Sequence, residues 1–148
     1  MKPSWIGTGN TNDNSDHNTK STIILPTKAK FTGVVTIGSN SSASITITAI
    51  RFDNIVNLVL PIWNVNGTPS GGTATFDTVL SSTYRPKQQP DGTGQNFMFV
   101  VTGTNGGGAK VPIRLSVLSN GTILWKTIDG EDLIESAHAN STSVSYIL

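Results

Sequence analysis

Residues 44–62 read SITITAIRFDNIVNLVLPI, and this stretch decides the fold class. Its first half alternates apolar residues with serine and threonine, and a period of two is typical of a strand with one buried face. Asp53-Asn54 then supplies a tight turn, and a second apolar run follows it. The stretch therefore predicts a β-hairpin, with strands at 44–51 and 55–62.

The rest of the chain repeats this pattern of short strands between clusters of turn residues. Asn120-Gly121 is its best hairpin signal, because both residue types tolerate the positive φ that a type I′ turn needs. One helical turn is predicted, at 132–137, and no amphipathic helix. The remaining predicted strands are 30–37, 73–80, 97–101, 109–118, 121–128 and 143–148. Together they predict an all-β fold, a two-sheet antiparallel β-sandwich of jelly-roll type with about eight strands.

The chain divides into two predicted segments. Residues 7–22 read GTGNTNDNSDHNTKST, which is poor in apolar residues and rich in turn formers. We therefore expect a flexible N-terminal tail or linker at 1–22 and a β-sandwich head domain at 23–148. A chain of 148 residues fits one domain that needs no disulfide to fold, and it contains no cysteine.

The composition excludes several classes of partner. Only 13% of the residues are charged and the net charge is +1, with no basic run, so binding to nucleic acid is not expected. No apolar stretch approaches the roughly 20 residues that span a bilayer, and no membrane insertion is expected. The N-terminus also lacks the apolar centre of a signal peptide. A polar surface with few charges is typical of exterior β-proteins, lectins and virus fibres.

Residues that could carry catalysis or hold a metal are scarce. His17 and His138 have no neighbouring histidine at metal-ligand spacing, and the lack of cysteine excludes thiolate sites. The acidic group Asp129, Glu131 and Asp132 lacks the alternating pattern of a calcium loop. We therefore expect no catalytic residue, no metal, no cofactor and no enzyme activity.

Two tryptophans outside the tail are candidates for a platform on which a sugar ring stacks. Trp125 alternates with Ile123, which indicates a core position. Trp63 stands at a strand end beside the polar loop 64–72, and with Asn66 it forms the predicted ligand-binding site. Packing of Trp63 into the core is the competing interpretation.

Two predicted strands, 55–62 and 97–101, are apolar on both faces. A strand in a two-layer sandwich buries only one face, so the second face needs another cover. A loop of the same chain is one candidate cover, and a sister subunit is the other, since large exposed apolar patches are uncommon on monomers. The predicted subunit-interface residues are Ile55, Val59, Phe97, Phe99 and Tyr146.

Four short motifs resemble, in their order, those of phage and virus fibre heads. Residues 50–61 resemble the hairpin R-x-G-N-x-V-x-L, with Asp-Asn where Gly-Asn is usual. Residues 79–86 resemble L-P-x-x-Y-R-P, with Ser81 in place of the first proline. A hairpin ending N-G-T-I at 120–123 and an aromatic closing strand at 144–147 complete the resemblance.

The resemblance covers about residues 30–148 and implies an appendage tip with a jelly roll similar to the tumour-necrosis-factor-like trimer. It implies a homotrimer on the extracellular virion surface, with the N-terminal tail joined to a shaft or capsid protein. It also implies contact with a host receptor or glycan through loops far from that tail. No binding residue carries over, because tip loops vary. Tyr84-Arg85-Pro86 is interpreted as a structural corner, in which Pro86 fixes the turn and Arg85 bonds loop carbonyls.

The leading hypothesis is therefore a homotrimeric head of a viral fibre or minor capsid appendage that acts in host attachment. The second is a monomeric carbohydrate-binding module of a secreted protein, which requires an exposed aromatic platform such as Trp63. The third is a small glycan hydrolase or esterase, which requires a carboxylate pair or a triad assembled in space.

Overall fold

The computed structural model describes residues 24–67, 71–87, 93–106, 108–134 and 136–148. The predicted tail at 1–22 lies outside the described residues. The described residues form twelve strands and no helix, so none of them supplies a helix that could cross a membrane. The strands are β1 (Thr27–Gly33), β2 (Val35–Ile37), β3 (Asn40–Ser41), β4 (Ile45–Phe52), β5 (Ile55–Leu60), β6 (Trp63–Asn64), β7 (Ala74–Phe76), β8 (Phe97–Thr104), β9 (Val111–Val117), β10 (Ile123–Thr127), β11 (His138–Ala139) and β12 (Thr142–Ile147).

One sheet is built around the predicted hairpin. Its strand order is β1-β4-β5-β12, and every neighbouring pair is antiparallel. Phe52 pairs with Ile55, so β4 and β5 are joined by the two-residue turn Asp53-Asn54, in which Asp53 has a φ of 54°. The predicted hairpin is confirmed, and the strands nearest the two ends of the described domain form the edges of its sheet.

The second sheet has eight strands in the order β3-β2-β7-β10-β9-β8-β11-β6, again antiparallel throughout. Three of them, β8, β9 and β10, follow one another as neighbours, and β7 lies beside β10 after a long connection, which is a Greek-key arrangement. The predicted two-sheet antiparallel β-sandwich is thus confirmed. The strand count exceeds the prediction because five strands have only two or three residues, too few to show a period of two.

The core lies between the two sheets. Along β4 and β5, buried positions alternate with half-buried or exposed ones, as they do in strands with one covered face. Burial of one aliphatic or phenylalanine side chain contributes roughly 1.5–3 kcal/mol relative to its exposure to water. The largest buried side chains include Trp63, Trp125, Phe76, Leu80, Ile113 and Leu115.

The predicted strand at 30–37 is wrong as a single strand, because the chain changes sheets at Val34. β1 belongs to the four-stranded sheet and β2 to the eight-stranded sheet. At the crossing, the backbone N–H of Val34 donates to Asp77 Oδ1 at 3.0 Å, and the Val34 carbonyl accepts from the backbone N–H of Asp77 at 3.0 Å. Asp77 therefore satisfies the backbone groups that a continuous strand would have paired within one sheet.

The β9–β10 connection is a hairpin, but its predicted type I′ turn is wrong. Gly121 has a φ of 90°, whereas Asn120 does not adopt a positive φ. The N–H of Gly121 donates to the Leu118 carbonyl at 2.8 Å, which makes a three-residue loop closed by a left-handed glycine. A Cβ on Gly121 would lie 2.4 Å from the Leu80 carbonyl oxygen, so glycine is needed for the turn and for its close packing.

The predicted helical turn at 132–137 is wrong over its described residues. Leu133 instead forms an antiparallel bridge with Gly72, and the N–H of Gly72 donates to the Leu133 carbonyl at 2.8 Å. The backbone pairing available from Gly72 thus replaces the local bonds of a helical turn.

Candidate functional site

The outer surface of the four-stranded sheet carries exposed apolar side chains. Ile55 is 48% exposed and Val59 is 43% exposed, because they alternate with the buried residues of β5. Ile55 pairs with Phe52 on one side and with Ile147 on the other, which makes an apolar row across three strands. We call this outer surface the β5 face, and its residues on β4, β5 and β12 are Thr46, Thr48, Ile50, Phe52, Ile55, Asn57, Val59, Ser143, Ser145 and Ile147.

The polar side chains at the centre of the β5 face satisfy one another. Asn57 Nδ2 donates to Ser143 Oγ at 2.8 Å and to Ser145 Oγ at 3.0 Å. None of the ten residues of the face is charged, and the adjoining lysines, Lys28 and Lys30, lie on the edge strand β1. The centre of this face can therefore be covered by another surface without burying an unpaired charge.

The outer surface of the eight-stranded sheet is also apolar in part, but it is charged. Met98 is 63% exposed and Val100 is 68% exposed on β8. In register with Val100 stand Arg114 on β9 and then Lys126 on β10. A subunit that packed on this region would remove Arg114 and Lys126 from water, which costs free energy. The β5 face is therefore the better candidate for a subunit interface.

Of the other predicted interface residues, Tyr146 is corrected by the structure, which places it in the core, and Phe97 and Phe99 are half-buried. Tyr146 is 3% exposed, its hydroxyl donates to the Tyr84 carbonyl, and its ring stacks on Phe97 at 5.2 Å. Phe97 and Phe99 are half-buried and pack against the core of their own chain. The pleat turns these side chains inward, and it is Met98 that β8 exposes beside them.

Burial raises the pKa of the Tyr146 phenol above its ordinary value of 10.0. The folded state thus favours the neutral phenol, and unfolding releases a proton once the pH exceeds that ordinary value. We expect the free energy of unfolding to be insensitive to Tyr146 below about pH 9 and to fall as the pH rises beyond about 10.

Tyr146→Phe tests this dependence. The variant loses the bond to the Tyr84 carbonyl, at a cost of about 1–3 kcal/mol near neutral pH. The variant also lacks the titrating group. In urea unfolding at pH 7 to 11, the free energy of unfolding of the wild type should therefore fall towards that of the variant as the pH rises. Parallel curves for the two proteins would contradict the assignment.

The predicted ligand-binding residues Trp63 and Asn66 do not form a stacking platform. Trp63 is 2% exposed and packs edge-on against Trp125, with ring centroids 5.2 Å apart. Its indole N–H is buried and has no hydrogen-bond partner among the described residues. Asn66 is exposed, and its carbonyl accepts a bond from Asn40 Nδ2 at 2.9 Å. The core interpretation of Trp63 is the one that the structure supports.

The motif stretches noted in the sequence meet at one end of the sandwich, near the β4–β5 turn. Arg51, from the first motif, donates to the Thr83 carbonyl in the second at 3.0 Å. Tyr146, from the closing strand, donates to the Tyr84 carbonyl. Arg85 Nη1 donates to the Asn120 carbonyl at 3.4 Å, which confirms the predicted bonding of a loop carbonyl by Arg85. The four motifs thus form one hydrogen-bonded corner.

A polar pocket of about 320 Å³ opens beside this corner. The backbone N–H of Leu80 donates to the Gly121 carbonyl at 2.9 Å and holds the β9–β10 turn against the segment 81–87. The N–H of Ser119 donates to Asn96 Oδ1 at 3.1 Å and fixes the other side of the turn. The pocket is lined by Ser82, Arg85, Pro86, Lys87, Ser119 and Asn120.

Sequence reasoning did not find this pocket. The sequence feature that could have indicated it is the pair of cations, Arg85 and Lys87, at the end of the motif at 79–86. That signal places the cations in sequence, but tertiary bonds such as the one between Leu80 and Gly121 bring Ser119 to them.

The remaining candidate groups are dispersed. His138 lies on β11, where its Nδ1 is 2.9 Å from the hydroxyl of Thr104. In the acidic segment, Asp132 forms an ion pair with Lys126 at 3.5 Å. Over the described ranges, no three histidine, aspartate or glutamate side chains come together in a group that could hold a metal ion.

No protein-family model matches the chain, and no curated protein matches its sequence. Among solved structures, the chain is similar to the reovirus attachment protein sigma1, in its crystal structure in complex with alpha-2,3-sialyllactose. The TM-score is 0.46 and the sequence identity is 12%. The similarity covers 82% of this chain and 66% of that one, so the chain spans about two thirds of the reovirus protein's chain.

Proposed function

We propose that this chain is the head of a viral fibre or minor capsid appendage, that it assembles as a homotrimer, and that it attaches the virion to a host-surface receptor or glycan. The observation that carries the proposal is the β5 face, on which Phe52, Ile55, Val59 and Ile147 are all exposed. Four large exposed apolar side chains on one surface, with charged residues only at its edge, are unusual for a monomer.

The chemistry of the β5 face favours a second copy of the chain as its cover. The polar side chains at its centre are hydrogen-bonded to one another, an apolar row lies beside them, and its charged residues, Lys28 and Lys30, lie at the edge. Depletion of charged residues at the core of the patch is typical of stable interfaces. Three-fold symmetry is supported by the resemblance of the corner motifs to fibre heads.

The remaining parts of the proposal follow from the same resemblance. The head domain is assigned to 23–148, and residues 1–22 are the tail that joins it to a shaft or capsid protein. In this proposal, the domain lies on the outer surface of the virion. A ligand approaches the head through its exposed loops and pockets, and no catalytic step is required of the domain.

Size-exclusion chromatography with light scattering on the full chain tests the assembly. We expect a particle with three times the 15.6 kDa mass of the chain. The mass should persist in about 1 M salt, since screening weakens charge pairs and not apolar contacts. A stable 15.6 kDa species at all concentrations would contradict the proposal.

A monomeric carbohydrate-binding module is the second candidate, and the polar pocket beside the corner is the observation that favours it. Such a module would bind a glycan as a monomer. The buried state of Trp63 argues against the aromatic platform on which that candidate depended. Mass and glycan binding, measured on the same sample, separate the two candidates.

A further inference from the structure

We propose that the pocket between segment 81–87 and the β9–β10 turn binds a single acidic sugar that carries a carboxylate. This proposal rests on the proposed attachment function and names the class of ligand that the head would recognise.

The charge of the pocket is the first argument. Arg85 and Lys87 both line it, and no carboxylate does so among the described residues. Within the same part of the chain, neither cation forms an ion pair with an acidic side chain. The Arg85 guanidinium has five N–H donors, and one of them bonds the Asn120 carbonyl at a long 3.4 Å. An anion placed between the two side chains therefore gains charge-assisted hydrogen bonds from both.

The remaining lining fits a sugar. Ser82 and Ser119 contribute hydroxyl groups, which donate to and accept from the hydroxyls of a sugar ring. Asn120 Oδ1 accepts from the N–H of Thr122 at 3.0 Å, which orients the amide at the mouth of the pocket. A volume of about 320 Å³ lies at the lower end of the range for small-ligand sites, so one ring fits better than a long chain.

The number of cations distinguishes a terminal acidic sugar from a polyanion. An extended sulfated polysaccharide binds along a row of basic residues. Among the residues that the structure describes, two basic side chains line this pocket, and the whole chain has a net charge of +1. The planar fork of Arg85 also matches a carboxylate, which accepts two parallel hydrogen bonds. The pocket is therefore assigned to one carboxylate on one sugar.

The position of the pocket differs from that implied by the family resemblance. Ser82 in the pocket is next to Thr83, and the Thr83 carbonyl accepts a hydrogen bond from Arg51. Arg51 in turn lines a small cavity together with Ile24 and Leu25, which precede β1. The pocket thus lies at the end of the sandwich where the chain enters β1. The resemblance placed ligand contact on loops far from the tail.

Saturation-transfer NMR titrations of the full chain test the assignment, with 3′-sialyllactose, lactose and lactose 3′-sulfate as probes. We expect sialyllactose to bind and neutral lactose not to bind. Lys87→Gln, which removes one exposed cation, should weaken the affinity about tenfold, as should Arg85→Lys, which keeps the charge and loses the fork. Lys110→Gln, an exposed lysine outside the pocket, is the matched control and should leave the affinity unchanged.

Each other result overturns the assignment. Absence of sialyllactose binding up to about 10 mM, equal binding of lactose, or preference for the sulfate would exclude a carboxylate site. Unchanged affinity in Lys87→Gln and Arg85→Lys would place the binding elsewhere. The mass of the same sample tests the attachment proposal separately, since a monomer that binds sialyllactose through Lys87 would refute the trimer and retain the pocket.

Discussion

Val59→Asp is expected to yield monomers of 15.6 kDa where the wild type assembles through the β5 face as proposed. Val59 is 43% exposed at the middle of the β5 face, and its register partners, Thr48 and Ser143, carry no charge. Assembly of the variant would bury one carboxylate per subunit, and the cation in register with it, Lys30, lies two strands away on the edge strand β1. Each such charge costs several kcal/mol, which exceeds what the lost valine contacts alone would cost. Light scattering across a dilution series measures the change.

Val100→Asp is the matched control for this experiment. It places the same charge on another exposed valine, 68% exposed on β8, beside Arg114 in register. This variant should keep the mass of the wild type. An unchanged mass for Val59→Asp, or dissociation by both variants, would show that the β5 face is not the specific interface.

Trp63→Ala is expected to lower the free energy of unfolding by about 3–5 kcal/mol. The side chain is 2% exposed and packs edge-on against Trp125, so truncation leaves a large cavity and removes an aromatic pair. A loss of this size is a large fraction of the roughly 5–15 kcal/mol that stabilises a typical domain. Urea unfolding at one fixed protein concentration measures it, since assembly makes stability depend on concentration.

Trp63→Phe separates packing from ligand contact. Phenylalanine keeps an aromatic ring beside Trp125 and removes the indole N–H, which has no partner among the described residues. The variant should therefore be more stable than Trp63→Ala. Glycan binding should survive in any Trp63 variant that remains folded. Loss of binding in a fully folded Trp63→Phe protein would restore the sugar-platform interpretation.

The hairpin at 44–62 was predictable because two signals agreed there. Alternation in β4 defined the buried face, and Asp53-Asn54 defined the turn. In 97–101, by contrast, every position is apolar, so no period distinguishes the two faces. The packing of Phe97 against Tyr146 and the burial of Val101 show which side is inward. The interface prediction therefore chose the exposed face of β5 and the buried face of β8.

The pocket could not be predicted from sequence for a different reason. Its walls come from segment 81–87 and from the β9–β10 turn, more than thirty residues apart in the chain. The hairpin signal at Asn120-Gly121 predicted a turn, but its contact with Leu80 is a tertiary bond that no local pattern encodes. The same limit applies at Val34, where the side chain of Asp77 accepts a backbone hydrogen bond at the point at which the chain leaves one sheet for the other.

The position of β12 has a consequence for the order of events during biosynthesis. This strand pairs with β5, adds Ile147 to the β5 face and places Tyr146 in the core. A nascent chain that has been translated only as far as β11 contains β4 and β5 but lacks β12, the remaining neighbour of β5. The proposed assembly surface is therefore complete only after translation has passed residue 147, which disfavours full contact between incomplete chains on the same messenger.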